Sequence, residues 1–227
     1  MKRAEAKARS GAAADRPRRR VPKPKRPDTY HHGSLREALL QAAERILERD
    51  GIQGLTLRAA AREAGVSHAA PKNHFGDMTG LLSDLAAVGF ERFVAMLREN
   101  AHDGDSPAVR MQAIGGGYVR FARTHPGLFL LMFRSERLDM ARPALRTAVG
   151  ASLQVLSRAV GERRGEPVET QLTLPQAAQI VAAWSLVHGF AMLLLDGRLT
   201  PLLARLPPGA DAETLLAEVF SGVSSKR

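Results

Sequence analysis

With 227 residues, 44% of them hydrophobic, the chain has enough apolar side chain for a sizeable core in one large or two small domains. The absence of cysteine excludes disulfides, thiolate metal sites and cysteine nucleophiles, and fits a reducing cytosol. The formal charge of +10 is concentrated: residues 1–29 hold eleven Lys/Arg against three Asp/Glu, a net +8, which leaves the rest nearly neutral.

That first stretch sets Arg18-Arg19-Arg20, Lys23, Lys25 and Arg26 among Pro17, Pro22, Pro24 and Pro27. It has too little apolar surface to fold, so a disordered basic tail is expected. Its plain role is a solubilising extension; its sharper one is an arm that follows phosphates or enters a minor groove. It lacks the apolar run of a secretory signal.

A first helix is predicted over 34–49, with Ser34 and Glu37 as a capping box, an apolar stripe of Leu35, Ala38, Leu39, Ala42, Ile46 and Leu47, and Gly51 as its stop. Thr56 caps a second helix, in which Leu57, Ala60, Ala61 and Ala64 recur at helical spacing. Gly65 then permits a left-handed reversal. Ser67 is the expected N-cap of a third, short helix that exposes His68, Lys72 and Asn73. Small Ala60 and Ala61 let the second and third helices cross closely, as a helix-turn-helix requires.

From Tyr30-His31-His32-Gly33 through Phe75-Gly76-Asp77 the chain resembles the N-terminal domain of the TetR family of transcriptional regulators. The resemblance rests on Thr56, the Gly65-Val66-Ser67 turn and the His74-Phe75 end. One position departs from it: where relatives usually have a tyrosine after the proline, this chain has Lys72, a flexible and strongly hydrated charge in place of an aromatic hydroxyl.

Asp77 is placed to cap a fourth helix carrying Leu81, Leu82, Leu85, Val88, Phe90, Phe93, Val94 and Leu97, which ends before residues 102–107 and connects two domains. In the family, tilt of this helix couples ligand occupancy to the spacing of the two reading helices of a dimer. A fifth helix is predicted over 107–124, ended by His125-Pro126-Gly127 and followed by an apolar segment over 128–133. Gly115-Gly116-Gly117 inside it costs roughly 2–3 kcal/mol against alanines, which calls for close helix packing or a soft spot beside a cavity. A phosphate loop is disfavoured, since no Walker-type lysine follows.

A long helix is expected over 140–162 and a loop at Gly165-Glu166-Pro167. Thr173 and Gln176 then form a capping box, with Pro175 in the first turn, for a helix ending at Leu195. Apart from Gln179, Ser185 and His188 it is apolar on every side, long enough to span a membrane. As a lone candidate it reads better as a helix buried from two directions, by its own domain and by a partner subunit. Trp184, His188 and Gly189, with His125-Pro126-Gly127, resemble the regulatory domain named for its Trp-His-Gly signature in some TetR-family members. A last amphipathic helix over 211–220 presents Leu215, Leu216 and Val219.

These elements add up to an all-α protein. A basic tail (1–29), a three-helix helix-turn-helix domain (30–76), a connecting helix (77–104) and a larger regulatory and dimerisation domain (105–227) are expected. No paired carboxylates, nucleophile elbow or HExxH motif stands out, so neither enzymatic activity, a metal nor a cofactor is expected. His31-His32 lacks a carboxylate at ligand spacing. The expected partners are a double-stranded DNA operator, a small apolar or amphipathic effector and a second copy of the chain, in the cytoplasm and away from membranes. Thr56, Lys72 and the tail would anchor phosphates, and Ser67, His68 and Asn73 would lie near base edges. Arg58, Arg62, Ala69, His74, Tyr30 and His31 complete that candidate surface. Met96, Tyr118, Phe121, Phe129, Met132, Phe133, Trp184, His188 and Met192 are candidates for an effector pocket, against a plain core role for many of them. The competing class is a helical small-molecule binding protein or enzyme that has lost DNA recognition, with Lys72 as its trace.

Overall fold

The computed structural model describes residues 32–102, 104–166 and 171–224. The expected basic tail, with Tyr30 and His31, lies outside them. The described residues form helices joined by turns and short loops, without strands.

α1 (His32–Gly54) is broken at Gly51, whose φ of 69° ends the regular helix where the sequence put its stop. It starts earlier than expected, so Ser34 falls inside the first turn, and Glu37 accepts from Gln41 one turn on. Leu39, Leu40, Ala42, Ala43, Ile46 and Leu47 are its buried face. α2 (Leu57–Glu63) is capped by Thr56, whose Oγ1 accepts from the Ala59 N–H at 3.0 Å. Its end is a Schellman turn. Gly65 at φ 68° lets its own N–H reach the Arg62 carbonyl and the Val66 N–H reach Ala61.

α3 (Ala70–Phe75) corrects one expectation. Its N-cap is Ala69, without a side-chain bond, while Ser67 lies upstream and closes the preceding turn, its Oγ accepting from the Ala69 N–H at 3.3 Å. Pro71 in the first turn of α3 explains the shift, since proline has no N–H to give the Ser67 carbonyl the i+4 bond with which a helix capped by Ser67 would begin.

α4 (Met78–Arg98) is capped by Asp77, which accepts from the Gly80 N–H at 2.8 Å. It is buried along almost its whole length and packs against α1 and α3 on one side. On the other it meets α5 (Pro107–Thr124), α6 (Pro126–Met132) and α7 (Pro143–Arg164). One contiguous apolar core therefore runs from Leu39 to Phe220.

His125-Pro126-Gly127 ends α5 and at once starts α6, proline taking the first-turn position. α7 begins after Met140, at Pro143. α8 (Leu174–Leu195) carries the expected Thr173–Gln176 capping box, with both reciprocal bonds present. A short α9 (Thr200–Leu203), without a sequence signal of its own, leads to α10 (Ala212–Ser224), where Asp211 accepts from the Thr214 N–H at 2.9 Å.

The triple glycine sits within unbroken helix. A Cβ on Gly115 would strike the Phe220 ring of α10, and one on Gly117 would lie 2.5 Å from the Met96 carbonyl oxygen of α4, whereas Gly116 has open space. Close packing is therefore the reason for the two outer glycines.

Candidate DNA interface and effector cavity

The helix-turn-helix presents a continuous polar surface. Thr56 and Arg58 at the start of α2, Ser67, His68 and Ala69 in the turn, and Lys72 and Asn73 on α3 are all exposed, while His74 is half-buried. The opposite side of α3 is anchored by Pro71 and Phe75, both buried, and the Arg36 guanidinium lies 5.8 Å from the Phe75 ring centroid. Anchoring one side of a six-residue helix fixes what the other side shows.

Charge is arranged to the same effect. Glu63 at the end of α2 is held by Arg45 at 3.1 Å and Arg49 at 3.6 Å, both from α1. Arg58, Arg62 and Lys72, by contrast, enter no ion pair among the described residues. Exposed and unneutralised, they leave this face positive on a body that is nearly neutral.

A second site lies in the larger helical part. A cavity of about 400 Å³ is lined by Phe90, Phe93 and Leu97 of α4, Met111, Ile114, Gly115 and Tyr118 of α5, and Met132 with Phe133 at the end of α6. Met140, Val149, Ser152, Leu153 and Leu156 line its α7 side, with Ala183, Trp184, Val187 and His188 of α8 and Phe220 of α10; Met140, Leu153 and Trp184 are also exposed to solvent, so the cavity has an open mouth. Its size and apolar wall are those of a small-molecule site.

Of the nine pocket candidates, Tyr118, Met132, Phe133, Trp184 and His188 meet at this wall. Phe121 and Phe129 are fully buried core residues, and Met96 and Met192 are half-buried beside the core rather than lining the cavity. Helical spacing gave these four an inward direction, which core and cavity share. Phe90 and Phe93 were legible as apolar positions of the connecting helix but carried no cavity signal, and Ser152 carried none at all.

Polar chemistry in the cavity centres on one contact. The Tyr118 hydroxyl and His188 Nδ1 are 2.8 Å apart, and the imidazole lies against the rings of Phe129 and Phe133. Burial pushes the Tyr118 hydroxyl well above its ordinary value, the nearby Trp184 side chain acting to a lesser extent the other way. Burial also lowers His188, so both groups are neutral near pH 7.

Cavity and DNA face are joined structurally. Asp84 of α4, 4% exposed, pairs with Arg36 of α1 at 2.8 Å and with Arg142, just before α7, at 2.9 Å. Beside it, Ser83 Oγ accepts from the Asp139 N–H at 2.8 Å. Glu48 of α1 reaches the start of α6.

α8 buries Ile180, Val187, Phe190 and Ala191 and leaves Leu174, Val181, Trp184 and Leu193 exposed. Among the described residues it is the one helix long and apolar enough to cross a membrane, by length and composition. A Cβ on Gly189 would touch nothing, so packing within the protomer does not explain that glycine.

Known proteins match both parts. The N-terminal profile of the bacterial regulatory proteins of the tetR family matches residues 39–85, and the tetracyclin repressor-like C-terminal domain profile matches residues 111–219. A Rhodococcus sp. RHA1 protein of unknown function is 36% identical and superposes with a TM-score of 0.69, covering 86% of this chain and 96% of its own. The nucleoid occlusion factor SlmA of Sodalis glossinidius is 29% identical over 154 residues, 65% of this chain and 77% of that protein. The TetR family transcriptional regulator PfmR of Thermus thermophilus, at 16% identity and a TM-score of 0.56 over 81% of this chain and 94% of its own, shares the fold.

Proposed function

Because the chain belongs to the TetR family of bacterial regulatory proteins, and is accordingly a ligand-responsive DNA-binding transcriptional regulator rather than an enzyme, we propose how its two sites divide the work. Thr56 and Lys72 anchor phosphates, Ser67, His68 and Asn73 meet base edges, and the Ala69 methyl group and Arg58 flank them. The cavity takes a small apolar or amphipathic effector, and its occupation releases the protein from a palindromic operator, which makes it a repressor. It works in the cytoplasm.

The observation that carries this reading is the exposed, unneutralised Arg58, Arg62 and Lys72 beside Asn73 on the helix-turn-helix, whose apolar core is continuous with the residues around the cavity. Exposed Leu174, Val181 and Leu193, which share one side of α8 with the unfilled space at Gly189, support packing of α8 against a second copy. Two-fold symmetry then places the operator half-sites about one DNA turn apart, or a multiple of it.

Selection of bound duplexes from a random pool tests the reading. A palindromic motif, bound with steep salt dependence, is the expected result; salt-steep binding without sequence selection overturns it. Deleting residues 1–26 is expected to weaken binding to all sequences and flatten the salt slope, and an unchanged slope removes the tail from the interface.

A further inference from the structure

The cavity wall says more about its ligand than that it is apolar. No charged side chain lines it among the described residues, and its polar groups are Tyr118, His188, Ser152 and Trp184. Ser152 already donates to the Val149 carbonyl at 2.8 Å. The Tyr118–His188 contact is different, because neutral tyrosine and neutral imidazole each bring one proton and their single bond uses only one. If tyrosine donates, the Nε2–H of His188 is left over; if Nδ1–H donates, the tyrosine O–H is left over. In either tautomer one donor and at least one lone pair remain, and the second ring nitrogen of His188 has no partner among the described residues.

An ionised head group would meet no counter-charge here and would lose its water without compensation. Arg163 and Arg164 line a neighbouring groove that shares Met111, Ala183 and Phe220 with the cavity, without lining the cavity itself. Arg164 is committed to Glu166 through two bonds of 2.9 and 3.0 Å, and Arg163 is also engaged. A wholly apolar ligand, in turn, would cover the leftover donor without satisfying it.

We infer that the effector is an uncharged, mainly apolar molecule with a single neutral oxygen function, an alcohol or a carbonyl, received by the Tyr118–His188 pair. This rests on the cavity being the effector site. The two groups lie on different helices, α5 and α8, so an oxygen held between them ties those helices together through the ligand.

Trp184, the chain's sole tryptophan, stands in the wall and reports occupancy by its emission. The full chain is titrated at about pH 8 with decane, decanol, a decanone, decanoate and decylammonium, so that the acid and the amine are charged. Decanol and the decanone are expected to bind about 10-fold more tightly than decane, and the two ions no more tightly than decane. In Tyr118→Phe and His188→Leu the ratio of decanol to decane affinity is expected to fall towards one, and His188→Gln, which keeps a hydrogen-bonding group, to recover part of it. Because the ratio is taken within each variant, a general loosening of the cavity cancels, and melting temperatures show that each variant is folded.

Tighter binding of decanoate or decylammonium than of decanol overturns the inference. So does an oxygen preference that survives both substitutions, or an emission unmoved by all five compounds. Release of operator DNA by a charged compound acting in the cavity would sink this ligand class and leave the regulator standing. Failure to select an operator would count against the regulator and leave the emission result untouched.

Discussion

Glu48, in the last regular turn of α1, caps the N-terminus of α6 by accepting from the Gly127 N–H at 2.9 Å and the Leu128 N–H at 3.0 Å. A carboxylate at that end satisfies two orphan donors and complements the helix dipole. Gly127 belongs to the same joint, since a Cβ there would lie 2.9 Å from the Leu47 carbonyl oxygen. α6 ends at Met132 and Phe133 in the cavity wall, so the contact joins α1, against which α2 and α3 pack, to a helix that borders the cavity. Glu48→Ala is expected to cost about 1 kcal/mol, as loss of a helix cap does. It should also shrink the effector's influence on DNA affinity while leaving effector binding, read from Trp184, close to normal. An unchanged effector response would mean that α1 and α6 are joined for stability alone.

Asp84 is a second joint, and its energetics differ. It is buried, but Arg36 and Arg142 are 43% and 31% exposed, so both can rehydrate when the carboxylate goes. Asp84→Ala is therefore expected to cost about 2 kcal/mol, below the range for stranding a buried charge, and more than either arginine substitution alone. Urea unfolding of the three variants checks that order.

The glycine triplet predicts opposite signs at adjacent positions. Gly116→Ala fills open space in a helix interior and should stabilise by up to about 1 kcal/mol. Gly115→Ala must displace the Phe220 ring, and Gly117→Ala must move the α4 backbone at Met96, so both should destabilise by about 1–3 kcal/mol, the second more because backbone yields less. Thermal melts of the three alanine variants are the measurement.

Lys72 stands exposed on α3, with no ion pair among the described residues to neutralise it. Lys72→Ala is expected to weaken binding to operator and non-operator duplexes alike and to reduce the salt slope by about 1, as for a lost phosphate contact. A loss confined to one base position would make Lys72 a reader of bases.

His188 gives stability an acid edge. Burial lowers its pKa from the ordinary 6.5, so on acidification the unfolded chain binds its proton first and the folded state loses ground. Stability should fall as pH drops below about 6.5 and recover as it rises. His188→Gln should flatten that part of the profile in unfolding measurements between about pH 7 and pH 5. An equal slope in both proteins would assign the acid sensitivity to other groups.

Much of this protein is written locally. Thr56, Asp77 and the Thr173–Gln176 box cap the helices where the sequence puts them, and Gly65 turns the chain as its position demands. Each of these bonds joins residues a few positions apart, so neighbours in the chain suffice to specify it. Ser67 shows the limit even there: its hydroxyl accepts from the Ala69 N–H, but Pro71 has no N–H to give its carbonyl, so the regular helix starts later. What only the tertiary structure decided is which inward-facing residues are core and which are wall. Phe129 and Phe133 sit one turn apart on the same apolar segment, yet the first is sealed in the core and the second borders the cavity. Periodicity gives a side chain its direction, while a cavity is a neighbour withheld by other helices. Tyr118 and His188, 70 residues apart, are brought within 2.8 Å only because α5 and α8 pack side by side.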